Sequence, residues 1–179
     1  MTPFGVLELL TGALTLVFGS GGNSDLWVDA LMAWWRAARS GYRGVRLLVV
    51  YLDNGPQNSG RRTQWLKRMV QFADWSGLAV RLVYYPPYHS KYNPIERCWS
   101  SLEQKWGGAL LNCWEVILEY AARMTWRKRY PRVERLPGNY TARVTVPAKE
   151  METWEARLER SAELPQHDIT IRPKCSRGR

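Results

Sequence analysis

The order strand–strand–helix–strand–helix–strand–helix predicts an α/β fold for this chain. Two observations carry that reading. Short apolar runs at 4–10, 14–18, 45–52 and 79–84 end in turn residues. The stretches between the later runs repeat apolar side chains at helical spacing. A length of 179 residues suits one domain better than two.

Residues 4–10 and 14–18, separated by Thr11-Gly12-Ala13, read as a hairpin. After the Gly19-to-Gly22 loop, Asn23 or Ser24 caps a helix whose apolar face is Trp27, Leu31, Trp34, Trp35 and Ala38. Gly41 and Gly44 end it. The run 45–52 is nearly all apolar, the pattern of a strand buried on both faces of a parallel sheet. Asp53-Asn54-Gly55-Pro56 is a turn, and Asn58 or Ser59 is placed to cap the next helix, with Trp65, Met69, Phe72 and Ala73 inside and Gly77 closing it. Residues 79–84 form the next buried strand. Asn93-Pro94-Ile95-Glu96 opens a helix with a cap, a proline at the first position and an acid at the third. Ile95, Trp99, Leu102 and Trp106 are its stripe. A further helix is expected over 113–126, with Trp114, Ile117, Leu118, Ala121 and Ala122 inside. Beyond Arg127 the pattern loosens. Residues 130–146 read as irregular with a strand-like end at 143–146, a charged helix follows over 147–162, and the tail holds a short extended stretch at 168–171. The division expected is a core over 1–126 and a basic C-terminal extension over 127–179, with one helix and a disordered tail.

Composition narrows the function. Lys and Arg total 26 against 16 Asp and Glu, a net charge of +10. Such a balance favours a polyanionic partner, nucleic acid or an acidic membrane surface, although solubility alone also explains it. Ten Trp and nine Tyr suit a packed core or stacking on bases. Three Cys with no CxxC pair, and two distant His, speak against a disulfide framework or a zinc site. No apolar stretch is long enough to span a membrane, and the first 18 residues lack a basic leader. An intracellular, cytoplasmic protein is expected.

Two carboxylates stand out by position. Asp53 lies at the carboxyl end of a strand, the edge where open α/β sheets build sites. Glu96 opens the helix after the next strand. Together they offer the hard oxygen ligands that Mg²⁺ takes, and such sites drive in-line attack on phosphodiesters. Asp53 in a turn and Glu96 in a capping box are the simpler readings of the same residues.

The string Tyr85-Pro86-Pro87-Tyr88-His89-Ser90-Lys91-Tyr92-Asn93-Pro94-Ile95-Glu96 resembles the motif before the last acidic residue of mariner-like insertion-sequence transposases. Leu52-Asp53-Asn54-Gly55-Pro56 resembles that superfamily's second acidic motif. The likeness is dense over 45–108, looser over 4–40 and 109–171, and absent from the tail. It implies an RNase H-like mixed sheet flanked by helices. It makes Asp53 the second catalytic acid and Glu96 the third, both holding Mg²⁺ or Mn²⁺. Asn54, His89, Lys91 and Asn93 would line the metal and DNA-end site. Arg61, Arg62, Arg68, Arg97, Lys105, Arg127, Lys128 and Arg129 are candidate contacts to the DNA backbone. A turn histidine bonded to backbone is the other reading of His89.

The family's first Asp, on a strand upstream of a hairpin like 4–18, has no counterpart here. Asp25 and Asp29 belong to the capped helix, and Glu8 lies on the wrong strand. The expectation is therefore the C-terminal part of a DDE transposase lacking the first strand, acting on double-stranded transposon ends in the nucleoid, with a homodimer possible and no membrane partner. It is expected to be inactive alone. A non-catalytic DNA-binding or oligomerising remnant is the alternative, and an unrelated α/β domain with incidental charge the third reading.

Overall fold

A computed structural model describes residues 1–86, 92–141 and 143–174. In chain order the elements are β1 (Thr2–Leu7), β2 (Leu14–Gly19), α1 (Ser24–Ala38), β3 (Leu47–Leu52), α2 (Thr63–Ser76) and β4 (Ala79–Tyr84). There follow α3 (Ile95–Trp106), α4 (Trp114–Ala122), β5 (Arg132–Arg135), α5 (Ala148–Glu155), β6 (Leu158–Arg160) and β7 (Asp168–Ile171). The fold is α/β, but the strands form two mixed sheets where one was expected. Two compact units result: Met1–Gly22 with Pro94–Tyr140, and Asn23–Asn93 with Thr141–Arg179. The boundary expected at 126/127 rests on composition, whereas the contacts interleave the units along the chain. Among the described residues no helix is long and apolar enough to cross a membrane.

In the first unit the order is β1-β2-β5. β1 and β2 pair antiparallel from Thr2↔Gly19 to Leu7↔Leu14. The first strand stops at Leu7, short of the expected residue 10, because residues 8–13 make the turn. Gly12, at φ +72°, donates its N–H to the Glu8 carbonyl at 2.7 Å, and the Thr11 hydroxyl donates to the Glu8 carboxylate at 2.8 Å. β5 runs parallel to β2. The strand-like end expected at 143–146 is thus displaced to 132–135. Val133 packs against the core there, while Arg143 has φ +62°, which no extended strand tolerates. Leu14, Leu16 and Phe18 of β2 bury against Cys98 and Leu102 of α3 and Ile117 and Ala121 of α4. Trp99 and Trp106 pack around them. α4 ends at Ala122, before the expected 126, and Ala122 is exposed rather than inside.

In the second unit the order is β3-β4-β7-β6, with β3 and β4 parallel and the other pairs antiparallel. Helices α1 and α2 pack together, with Leu26, Leu31 and Trp34 of the first and Trp65, Met69 and Phe72 of the second buried. The Asn23 side chain caps α1, accepting the Leu26 N–H at 2.9 Å. Trp65 donates to the Tyr84 hydroxyl at 3.0 Å, and burial pushes that phenol well above its ordinary pKa.

Four expectations fail in this unit. β3 is not buried on both faces, since Leu47, Val49 and Tyr51 alternate outward and are exposed. An unbroken apolar run cannot by itself tell a doubly covered strand from an edge strand with one open face. Neither Asn58 nor Ser59 caps α2; the capping position is Arg62, with no side-chain bond. The helix expected over 147–162 ends at Glu155, because Leu158–Arg160 ladders with β7 instead. Residues 168–171 are no part of a disordered tail. They form an inner strand between β4 and β6, and Ile169 and Ile171 are fully buried.

Ion pairs lock this C-terminal layer. Arg157 donates to Asp74 at 2.8 and 3.2 Å, and Arg81 to Asp168 at 2.6 and 2.9 Å. Burial opposes ionisation of Asp74, but the Arg157 bonds and the Lys174 N–H outweigh it and lower its pKa. Arg81 lowers that of Asp168. A carboxyl depressed in the folded state adds stability above its unfolded pKa, about 4, and loses it as pH falls through the folded value. Denaturant melts below about pH 4 are therefore expected to show falling stability, with a shallower fall in Asp74→Asn. An unchanged pH profile in that variant would contradict the assignment.

Candidate functional site

Asp53 follows the last residue of β3, and the strand ends beside it are pinned by the Tyr85 N–H donating to the Leu52 carbonyl at 2.8 Å. The turn closes on itself. Asn58 Nδ2 donates to Asp53 Oδ1 at 3.1 Å, and the Asn58 N–H donates to the Gly55 carbonyl at 3.3 Å. A Cβ on Gly55 would lie 3.0 Å from Asn58 Oδ1 and 3.8–3.9 Å from the Asp53 carboxylate oxygens. Asn58 is fully buried and its Oδ1 has no hydrogen-bond partner among the described residues. So a buried amide orients a half-buried carboxylate at the open end of the strand. The exposed Asn54 stands next to it. Asn58 was missed as a site residue because a polar residue ahead of a helix reads most simply as its cap.

Glu96 is in the first turn of α3 and half-buried. Pro94 occupies the capping position, one residue later than expected, so Glu96 is the second helical residue; Asn93 is buried just outside. Asp53 and Asn93 belong to the second unit and Glu96 to the first. His89 and Lys91 lie outside the described residues.

The donor chemistry suits a hard cation: a carboxylate with one oxygen held by Asn58, next to an amide oxygen that is buried and unsatisfied among the described residues. Among the described residues, no group of three or more His, Cys, Asp or Glu could hold a metal ion. The other acids considered are engaged. Asp25 accepts from Gln64 at 2.8 Å and pairs with Arg68 at 3.1 Å, Asp29 pairs with Arg68, and Glu8 takes the Thr11 hydroxyl. Cys98 offers no nucleophile, since burial pushes its thiol up to about 11.

The basic candidates divide sharply. Arg61 donates to Gln166 at 2.7 Å, Arg62 to the Val144 carbonyl at 3.0 Å, and Arg68 is held by two aspartates. Arg62 and Arg68, both half-buried, are thus engaged within the second unit, whereas Arg61 stays exposed with one bond to a surface amide. Arg97 and Lys105 are exposed on α3. Arg127, Lys128 and Arg129 stand exposed on a two-residue turn closed by reciprocal Trp126–Arg129 hydrogen bonds of 2.8 and 2.9 Å. Arg127 and Lys128 both have positive φ, +48° and +63°. That is the geometry of a type I′ turn, which favours Asn-Gly over two long cations. Arg127 lies over the Trp126 ring at 5.9 Å and Arg129 donates to the Thr11 carbonyl at 3.3 Å, so Lys128 is the least engaged of the three.

A family model described as the Rhodopirellula transposase DDE domain matches residues 1–173. The "Insertion element IS630 uncharacterized 39 kDa protein" of Shigella sonnei is 29% identical over 99 residues, which cover 55% of this chain and 25% of that protein. The matched part thus spans about a quarter of the relative's length. No solved structure matches the chain.

Proposed function

The chain belongs to the transposase DDE-domain family, and from that membership we propose that it is the C-terminal part of a catalytic domain that cuts and joins DNA strands. The observation that carries this reading is Asp53, fixed by Asn58 at the carboxyl end of β3 within a chain matched by the family over 173 residues. Asp53 and Glu96 would be the second and third acids, holding Mg²⁺ or Mn²⁺. When bound, such an ion activates the attacking oxygen and stabilises the leaving one. The protein's own work is positional. Asn58 fixes the rotamer of Asp53, the first turn of α3 fixes Glu96, and Asn54, His89, Lys91 and Asn93 line the DNA end. Arg97, Lys105 and the Arg127-Lys128-Arg129 turn neutralise phosphates.

The first acid comes from outside these 179 residues, on a strand of an RNase H-like sheet. The open apolar face of β3, with Leu47, Val49 and Tyr51 exposed, and its edge without a ladder partner among the described residues support this. The alternative, a DNA-binding or dimerising remnant without catalysis, draws support from the pairing of Asp25, Asp29 and Glu8 with other partners. Both readings require DNA affinity that weakens steeply with salt, through counterion release. Anisotropy titrations on a random duplex at several salt concentrations test this. An affinity unchanged across the series would contradict both.

A further inference from the structure

Residues 30–52 carry four arginines and no acidic residue. Arg36 is in the last turn of α1, Arg39 opens the 3-10 turn Arg39–Gly41, and Arg43 and Arg46 lie in the loop that enters β3. All four are exposed. Among the described residues none of their guanidinium groups makes an ion pair or hydrogen bond. Arg36 lies 5.2 Å over the ring of Trp75, itself 41% exposed. Elsewhere in the unit Arg68, Arg81, Arg157, Arg160 and Arg172 all have carboxylate partners. The loop is also held in shape. Tyr42 stacks on the buried Trp35 at 6.1 Å, and the Val45 N–H donates to the Tyr42 carbonyl at 3.3 Å.

A helix C-terminus favours cations, and that accounts for Arg36 and Arg39. It does not reach Arg43 and Arg46, which lie beyond the helix. Arg46 instead borders a shallow depression on the open face of the sheet, where Arg81 and Arg172 are paired with Asp168 and Glu159 and Arg46 is not. The cluster sits at the amino end of β3, whereas Asp53 follows its carboxyl end. Six strand residues put about 20 Å between them. Uncompensated guanidinium groups on a fixed loop, beside an exposed indole, suit a phosphate backbone.

We propose that Arg36, Arg39, Arg43 and Arg46 form a DNA-backbone clamp that grips duplex phosphates at the end of β3 opposite Asp53. It rests on the DNA reading above and takes the place of Arg62 and Arg68, which are engaged within the second unit. The clamp holds flanking duplex rather than the reacting phosphodiester.

The test uses the full chain and a labelled random duplex. A variant with all four arginines changed to Gln should show a salt slope reduced by about 3–4 and at least a ~100-fold loss of affinity at 0.1 M salt. The same four changed to Lys should keep the slope. Arg43→Gln and Arg46→Gln, outside the helix, should each remove about one unit of slope without altering the circular dichroism spectrum. A wild-type slope in these variants overturns the clamp while leaving the DNA reading standing. A wild-type chain with no salt-dependent DNA binding overturns both. Binding to anionic vesicles that the Gln variant loses, with DNA affinity unchanged, overturns the clamp in favour of a membrane surface.

Discussion

Incubated with duplex transposon-end DNA and Mg²⁺ or Mn²⁺, the isolated chain is expected to leave both strands intact. The proposed site would share its metal ions among three acids, and this chain offers candidates for the second and third only. Two carboxylates cannot anchor the second ion or place the attacking oxygen, and lost positioning alone costs several orders of magnitude. Asp53→Asn and Glu96→Gln should therefore change nothing measurable in this chain. If a further segment supplies the first acid, the same substitutions should lower cleavage by at least ~1,000-fold. A gel assay on 5′-labelled DNA decides it. Asp53-dependent cleavage by the isolated chain would mean that another acid, or a second subunit, completes the site.

The largest effect on stability is expected at Gly60. A Cβ there would overlap the Gln166 carbonyl oxygen and lie 2.9 Å from its carbon. The neighbour is backbone leading into β7 and cannot rotate away as a side chain could. Gly60 also presents its carbonyl to Arg160 at 3.1 Å, so movement of the loop disturbs the same layer. Gly60→Ala should cost about 2–4 kcal/mol, as overpacking against a fixed element does. Gly77→Ala makes the contrast. Its φ is +73° but nothing stands within 4 Å, so only the left-handed backbone penalty of about 1 kcal/mol applies. Urea melts of the two variants should separate them by at least ~1 kcal/mol. Equal losses would show that the 166 loop yields.

Much of the local structure is legible in the sequence because short-range rules decide it. β4 falls on its expected residues, Asn23 caps α1 through its side chain, and Gly77 closes α2 in the left-handed region. What is not legible depends on partners distant in the chain. β5 is a strand because β2 offers it an edge, and β7 because β4 and β6 flank it. The extended pattern at 168–171 is legible, but its place as an inner strand is not, and 132–135 has no pattern strong enough to announce itself. Leu158 continues a helical stripe in sequence, yet its backbone is claimed by Ile171. The site shows the same division. Asp53 and Glu96 are singled out by their motifs as candidates, whereas the Asn58 bond to Asp53 is hidden by that residue's double meaning as a cap. The engagement of Arg62 and Arg68 within the second unit is equally invisible, since a charge count cannot tell a displayed guanidinium from an engaged one. The acid-free interval around Arg36 to Arg46 is the signal that a count of both signs would have caught.

The central claim is that Asp53 and Glu96 bind one metal ion together. The most direct measurement is a Mn²⁺ titration of the isotope-labelled chain followed by amide NMR. The account predicts that signals around Asp53 and around the start of α3 broaden together, at the same Mn²⁺ concentrations, and that Asp53→Asn spares both. Broadening at one site without the other, or broadening that survives in Asp53→Asn, would contradict it.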